Sequence, residues 1–151
     1  MSEQVPPAWF WSLLEDARPK LQNLITSLER LPRDRLVAYA DIYFEAMMEV
    51  CEPWDGPTVD GIPFSEDSTE DFTEWVVGEG PEVWRKAVEA DDLSELGRRY
   101  WKEGATSWDL SIENNAYRGH QSCRGVATVA FEVIHGGDLS AALEELHSRG
   151  D

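Results

Sequence analysis

Carboxylates are the residues whose number and spacing could do chemistry in this chain. Glu66, Asp67, Glu70, Asp71, Glu74, Glu79 and Glu82 crowd one short stretch, and the 49 residues between Arg35 and Arg85 hold 13 acids and neither Lys nor Arg. All 13 basic residues stand outside that window. Two chemistries suit such a face. One is capture of a cationic protein, whose approach a complementary field speeds and orients; the other is ligation of a hard divalent cation through oxygen. The second lacks its loop signature. Setting Gly61 at the sixth position of a calcium loop places Asp60 fifth and Asp67 twelfth, but it places Gly56 first, where an acid is required. Energetics alone do not demand a function. Acids in a first helical turn gain roughly 0.3–1 kcal/mol each from the helix dipole, while the i,i+4 pairs Asp67/Asp71 and Glu70/Glu74 each lose roughly 0.2–0.5 kcal/mol. A solvated face accounts for the run as well as a binding face does. On the functional branch, Glu66, Asp67, Glu70, Asp71 and Glu74 are the expected contacts for a basic protein or peptide.

Other residues carry weaker chemistry. His120-x-x-Cys123 has the types of a base and a nucleophile, or of half a zinc site. Zinc needs four ligands and no second local pair follows, while a catalytic thiol and imidazole must meet in space, which this spacing does not establish. A loop histidine beside a small buried thiol is the simpler reading. Trp54 and Trp108 fall in loops and, with His120, could line a ligand pocket. Asp109 and Glu113 lie one turn apart, but nothing places them near a cleft. Gly78-Glu79-Gly80 opens like a dinucleotide fingerprint, yet it lacks the third glycine and joins two helices, so it reads as a turn. His135 and His147 fall at expected helix C-termini, where a partly charged imidazole suits the dipole. The tail Arg149-Gly150-Asp151 is discounted as a frayed end. The expectation is no catalytic residue, no metal and no cofactor.

These side chains need a scaffold, and composition bounds it. A chain of 151 residues suits one domain. Hydrophobic content of 42% with seven Trp is too rich for a disordered acidic chain. A net charge of −17 argues against nucleic acid or anionic lipid as the ligand. No apolar run approaches the roughly 20 residues of a membrane span. Met1-Ser-Glu-Gln-Val-Pro-Pro lacks the basic start and apolar core of a secretory signal, and Cys51 and Cys123 cannot make a disulfide framework. A reducing cytoplasm is the expected compartment.

Hydrophobic spacing is helical nearly everywhere. Phe10, Leu13, Leu14 and Ala17 form one stripe before Pro19; Leu21, Leu24, Ile25, Leu28 and Leu31 form a second before Pro32. A third helix points Leu36, Ala40, Tyr43, Phe44, Met47 and Cys51 inward. Residues 53–64 read as an ordered loop pinned by Trp54 and Phe64, with Pro-Gly and Asp-Gly turn chemistry. A helix beginning at Ser65 or Ser68 carries Phe72, Trp75 and Val76 to Gly78, and Pro81 opens the next. Asp92-x-x-Glu95 predicts a capping box ahead of Leu93, Leu96, Tyr100 and Trp101. Trp108, Leu110 and Ile112 alternate, which suits a short strand or an irregular helix. Val126, Val129, Ala130, Val133 and Ile134 predict a buried helix, and Asp138 opens the last one. Trp9, Trp11, Trp75, Trp84 and Trp101 are expected in the core. The fold class is all-α: a single-domain irregular bundle of about seven or eight helices over residues 1–151.

Trp9-Phe10-Trp11 followed by Leu13-Leu14-Glu15 resembles the F-W-x-L-I/L opening of a bacterial helical family of unknown function, family 4240. Ser65 to Gly80 resembles that family's central S-D-D-x-F-x-x-F-R-x-W-L-I-x-x-G, and Ala90-Asp91-Asp92-Leu93 its later P-D-x-L. The resemblance spans about residues 9–97, with residues 104–151 as a helical C-terminal extension outside it. Glu66 replaces a motif acid, Thr69 an aromatic and Thr73 a basic residue. Loss of the basic residue implies a more negative face. The resemblance implies a helical fold and carries over no catalytic residue; small domains of this kind occur in regulatory and toxin-immunity neighbourhoods. The leading expectation is a non-enzymatic protein engaging a basic partner, in its most concrete form an immunity-type inhibitor of a toxin. The alternative is a small enzyme or small-ligand binder with a pocket near Trp54, Trp108 and His120.

Overall fold

Proline punctuation and apolar spacing produce the first three helices where the pattern predicts them: α1 Ala8–Ala17, α2 Leu21–Glu29 and α3 Arg33–Val50. The computed structural model describes residues 5–149, so the final glycine and aspartate of the tail motif lie outside the described residues. Pro7 and Pro32 stand at the N-caps of α1 and α3, where a missing N–H costs nothing. The loop expected at 53–64 closes as a two-residue hairpin, β1 Thr58–Val59 against β2 Ile62–Pro63, with Val59 opposite Ile62. Asp60 and Gly61 both take positive φ, the requirement of the tight hairpin turn. The chain continues through α4 Glu66–Gly78, α5 Pro81–Glu89, α6 Ser94–Glu103, α7 Gly125–His135 and α8 Leu139–Arg149, with 3₁₀ turns at Gly104–Thr106 and Asn115–Tyr117. The fold is all-α, its one hairpin aside.

Helix α3 is the axis of the bundle, with α4, α5, α7 and α8 packed on it. One apolar cluster runs from Phe10 to Ala142 and includes fully buried Tyr39, Tyr43, Phe72 and Phe131. Each such side chain stabilises the fold by roughly 1.5–3 kcal/mol. Among the described residues no single helix is long and apolar enough to cross a membrane.

Several expectations need correction. Trp54 does not pin the hairpin loop, because it is 69% exposed; Phe64 does, edge-on to Phe72 at 5.8 Å. Phe44, Val133 and Ile134 are exposed. Val133 and Ile134 fall at the C-terminal end of α7, and Phe44 on α3 carries the Arg124 guanidinium over its ring. Trp101 is 47% exposed and outside the core. Residues 108–112 form no strand; Asp109 makes an isolated bridge to Lys20. Asp92 caps α6 differently from a capping box, with one oxygen accepting from the Ser94 N–H and hydroxyl.

Candidate functional site

Helix α4 carries the acidic run, and its start is fixed locally. The Ser65 hydroxyl accepts from the Ser68 N–H and satisfies one orphan donor of the first turn. Helical spacing then sorts the side chains. Thr69, Phe72, Thr73 and Val76 turn inward, whereas Asp67, Asp71, Glu74 and Gly78, at steps of four, three and four, share one flank. Thr73 is therefore not on the acidic flank; it is buried, with its hydroxyl donating to the Glu70 carbonyl. Thr69 lies directly against Gly56, which has no room for a Cβ beside the Thr69 hydroxyl.

The flank leads into a cleft of about 200 Å³. Asp71, Glu74, Trp75 and Gly78 of α4 form one wall, Tyr100, Gly104 and Ala105 a second, Trp108 and Leu110 a third, and Gln121, Ser122 and Cys123 close it beside Tyr43. Drug-sized ligands occupy roughly 300–1,000 Å³, so this volume suits one side chain or a group of that size. Tyr43 donates to the Glu74 carbonyl at 2.8 Å and Tyr39 to the Cys123 carbonyl at 2.7 Å, which ties α4 and the 121–123 segment to α3. The Trp108 indole N–H is buried with no acceptor among the described residues; a Cβ on Gly78 would lie 3.5 Å from it. Trp75, by contrast, donates to the Ser107 hydroxyl at 2.9 Å.

Electrostatics divide six acids of the run, from Glu66 to Glu79. Glu70 is paired with Arg124 at 3.1 Å, a cation supplied from far along the chain. Glu79 is 5% exposed and sits between Arg18 at 3.4 Å and Arg99 at 3.8 Å. Those two guanidiniums lie over the Trp108 and Trp75 rings, 5.8 and 5.6 Å from the centroids, so one carboxylate holds the cations that stack on two walls of the cleft. Glu74 is half-buried and accepts from the Arg124 N–H at 3.2 Å. Burial pushes its pKa up; the Ser122 hydroxyl, the Arg124 N–H and the Arg124 charge oppose that, and Asp71 adds to it. Asp71 is pushed up by burial and then by Glu70 and Asp67. Among the described residues no cation lies within ion-pair distance of Asp71, and Glu66 and Asp67 stand exposed at the outer end.

Of the residues expected around a pocket, Trp108 lines the cleft. Trp54 does not, and His120 is exposed beside the lining residues Gln121 and Ser122. Burial pushes the Cys123 thiol far up, with Glu74 adding to it, and pushes Cys51 up to about 11. Neither thiol is activated as a nucleophile. Among the described residues no cluster of His, Cys, Asp or Glu has metal-holding geometry. Tyr43 and Tyr100 are not legible as site residues in the sequence because each sits on an apolar stripe that helical packing already explains.

Fold and cleft together define an all-α protein with a small, acidic, aromatic-walled recess at its surface. Its walls come from segments well separated in the chain. The chain belongs to a family of proteins of unknown function, DUF4240, whose model matches residues 8–133. The match thus runs well past Gly97 and takes in most of α7. No curated protein and no solved structure matches the chain significantly.

Proposed function

We propose that this chain is a binding protein that engages a basic protein partner and seats one ammonium or guanidinium side chain of it in the cleft at Asp71 and Glu74. One observation carries this reading: Asp71, at a recess walled by Trp75, Tyr100 and Trp108, meets only like charge from Glu70 and Asp67. An entering cation removes that repulsion. It also gains the aromatic walls, worth roughly 0.5–2 kcal/mol for a cation over a ring face. Glu66 and Asp67, outside the recess, add long-range attraction that sets the association rate. Inhibition of a cationic toxin is the concrete form that fits a compact, strongly acidic protein.

A synthetic twelve-residue peptide of alternating lysine and serine, titrated calorimetrically at 50 mM NaCl, tests the reading. Asp71→Asn with Glu74→Gln should weaken binding at least tenfold, and Glu66→Gln with Asp67→Gln about threefold, both with unchanged circular dichroism. Equal affinity in wild type and the Asp71/Glu74 variant would overturn it. A free small amine is the second occupant that the same cleft admits, favoured by the modest volume. It would bind as well after the Glu66/Asp67 changes as before.

A further inference from the structure

Beside the cleft, on the far side of Tyr100, the molecule exposes an apolar ledge. Trp101 stacks on Phe64, centroids 5.4 Å apart and planes inclined by 12°. Phe64 is in turn 6.3 Å from Tyr100, a wall of the cleft. Ile62, 58% exposed at the hairpin turn, and exposed Pro63 precede Phe64 directly. The local fold holds these groups outward: the hairpin packs on α6, with Gly97 against Pro57 and Val59, and Arg98 binds Asp60 at 2.9 Å. Trp101 on Phe64 and Ile62 two residues before it gather their apolar exposure on one braced support rather than scattering it. The charge around them leans negative. Glu66 and Asp67 open α4 within three residues of Phe64 and Asp71 lies at the cleft, whereas on α6 Arg98 is engaged by Asp60 and Arg99 by Glu79 and Glu103, which leaves Lys102, next to Trp101, to oppose them.

Resting on the binding reading above, we infer that this ledge is the apolar half of the same docking surface. Its occupant is an amphipathic basic segment of the partner, with a bulky apolar side chain on Trp101 and Ile62 and its neighbouring cation in the cleft. Charge complementarity selects that occupant: a neutral apolar segment would leave Glu66, Asp67 and Asp71 uncompensated, and a purely basic one would leave Trp101 in water.

Two twelve-residue peptides of equal charge, one of lysine and leucine in helical spacing and one of lysine and serine, separate the halves. Titrated at 50 mM NaCl, wild type should bind the leucine peptide at least tenfold more tightly. Trp101→Ser with Ile62→Ser should bring the two within twofold and leave the serine peptide's affinity unchanged. Circular dichroism and thermal melting check that these exposed changes leave the fold intact. Equal binding of both peptides to wild type, or a leucine preference that survives in the ledge variant, overturns the ledge while leaving the cleft reading standing. Leucine-peptide binding that is lost in the ledge variant but indifferent to Asp71→Asn with Glu74→Gln overturns the cleft reading instead. Absence of binding by either peptide overturns both.

Discussion

On the proposed binding reading, Asp71 sits where recognition and stability conflict. Its pKa is raised by burial and by two neighbouring carboxylates, and Glu74's is raised by burial, with Asp71 contributing. A carboxyl whose pKa is higher in the folded chain favours folding fully at pH below its unfolded value, and that contribution is lost as pH rises through the folded value. For these two groups, stability therefore declines as pH climbs out of the ordinary carboxylate range. Removing Asp71's charge should reverse the decline. Asp71→Asn relieves an i,i+4 repulsion with Asp67 worth roughly 0.2–0.5 kcal/mol. The variant should thus be more stable than wild type at pH 7, with the gain vanishing below about pH 3.5, under the ordinary Asp value. Paired urea melts at the two pH values check this. A variant more stable yet weaker in peptide binding is the trade expected of a residue kept for recognition; one less stable at pH 7 would place Asp71 in the scaffold.

Among the elements, α4 links most of what matters, and Glu79 just beyond its C-terminal end is the joint. Arg18 donates to the Glu79 carbonyl at 2.6 Å and lies near its carboxylate, and Arg99 approaches from the other side. Glu79→Ala removes a carboxylate shared by two part-exposed guanidiniums, although Arg18 keeps the Glu79 carbonyl and Arg99 keeps Glu103, so the loss should be about 1 kcal/mol, the upper end for ion pairs of that exposure. It also frees the backing of Trp108 and Trp75, so the near-ultraviolet circular dichroism of the indoles should change while helix content stays. This joint also marks the limit of what spacing reveals. Periodicity along α2 identified its buried face because Leu21, Leu24, Ile25 and Leu28 all point one way. In α6 the same reasoning put Tyr100 and Trp101 inward together, but Tyr100 turns to Phe72 and Trp75 of α4, while Trp101 stacks on Phe64 and stays 47% exposed. The acidic run was legible as a face. That Arg18, Arg99 and Arg124 would fold onto part of it was not, because these pairings span 20 to 61 residues of chain and leave no local periodicity. Of the cleft, Trp108, Asp71 and Glu74 are legible in the sequence, whereas Tyr43 and Tyr100 are not, since they arrive as members of apolar stripes.

For the whole molecule, a net charge of −17 on 151 residues makes compaction itself electrostatically unfavourable. The described ion pairs are few and mostly part-exposed, and bridges of that kind contribute roughly 0–1 kcal/mol each. Dissolved salt acts on both terms, but unequally. Repulsion summed over many separated carboxylates is long-ranged and is screened as the Debye length falls from about 30 Å at 0.01 M to about 8 Å at 0.15 M. A contact such as Arg18–Glu79, with Glu79 almost fully covered, is screened much less. Added salt should therefore stabilise the fold. A gain of about 1 kcal/mol on going from 20 to 500 mM NaCl would raise Tm by roughly 2–4 °C for a chain of this length. Over the same range, capture of a basic partner by Glu66, Asp67 and Asp71 should weaken, because that attraction is screened too. Opposite responses to one variable, melting temperature up and peptide affinity down, identify a surface held out of balance for a cation. If Tm falls with salt instead, the arginine pairs dominate the charge economy, and the acidic flank is neutralised within the molecule rather than by a partner.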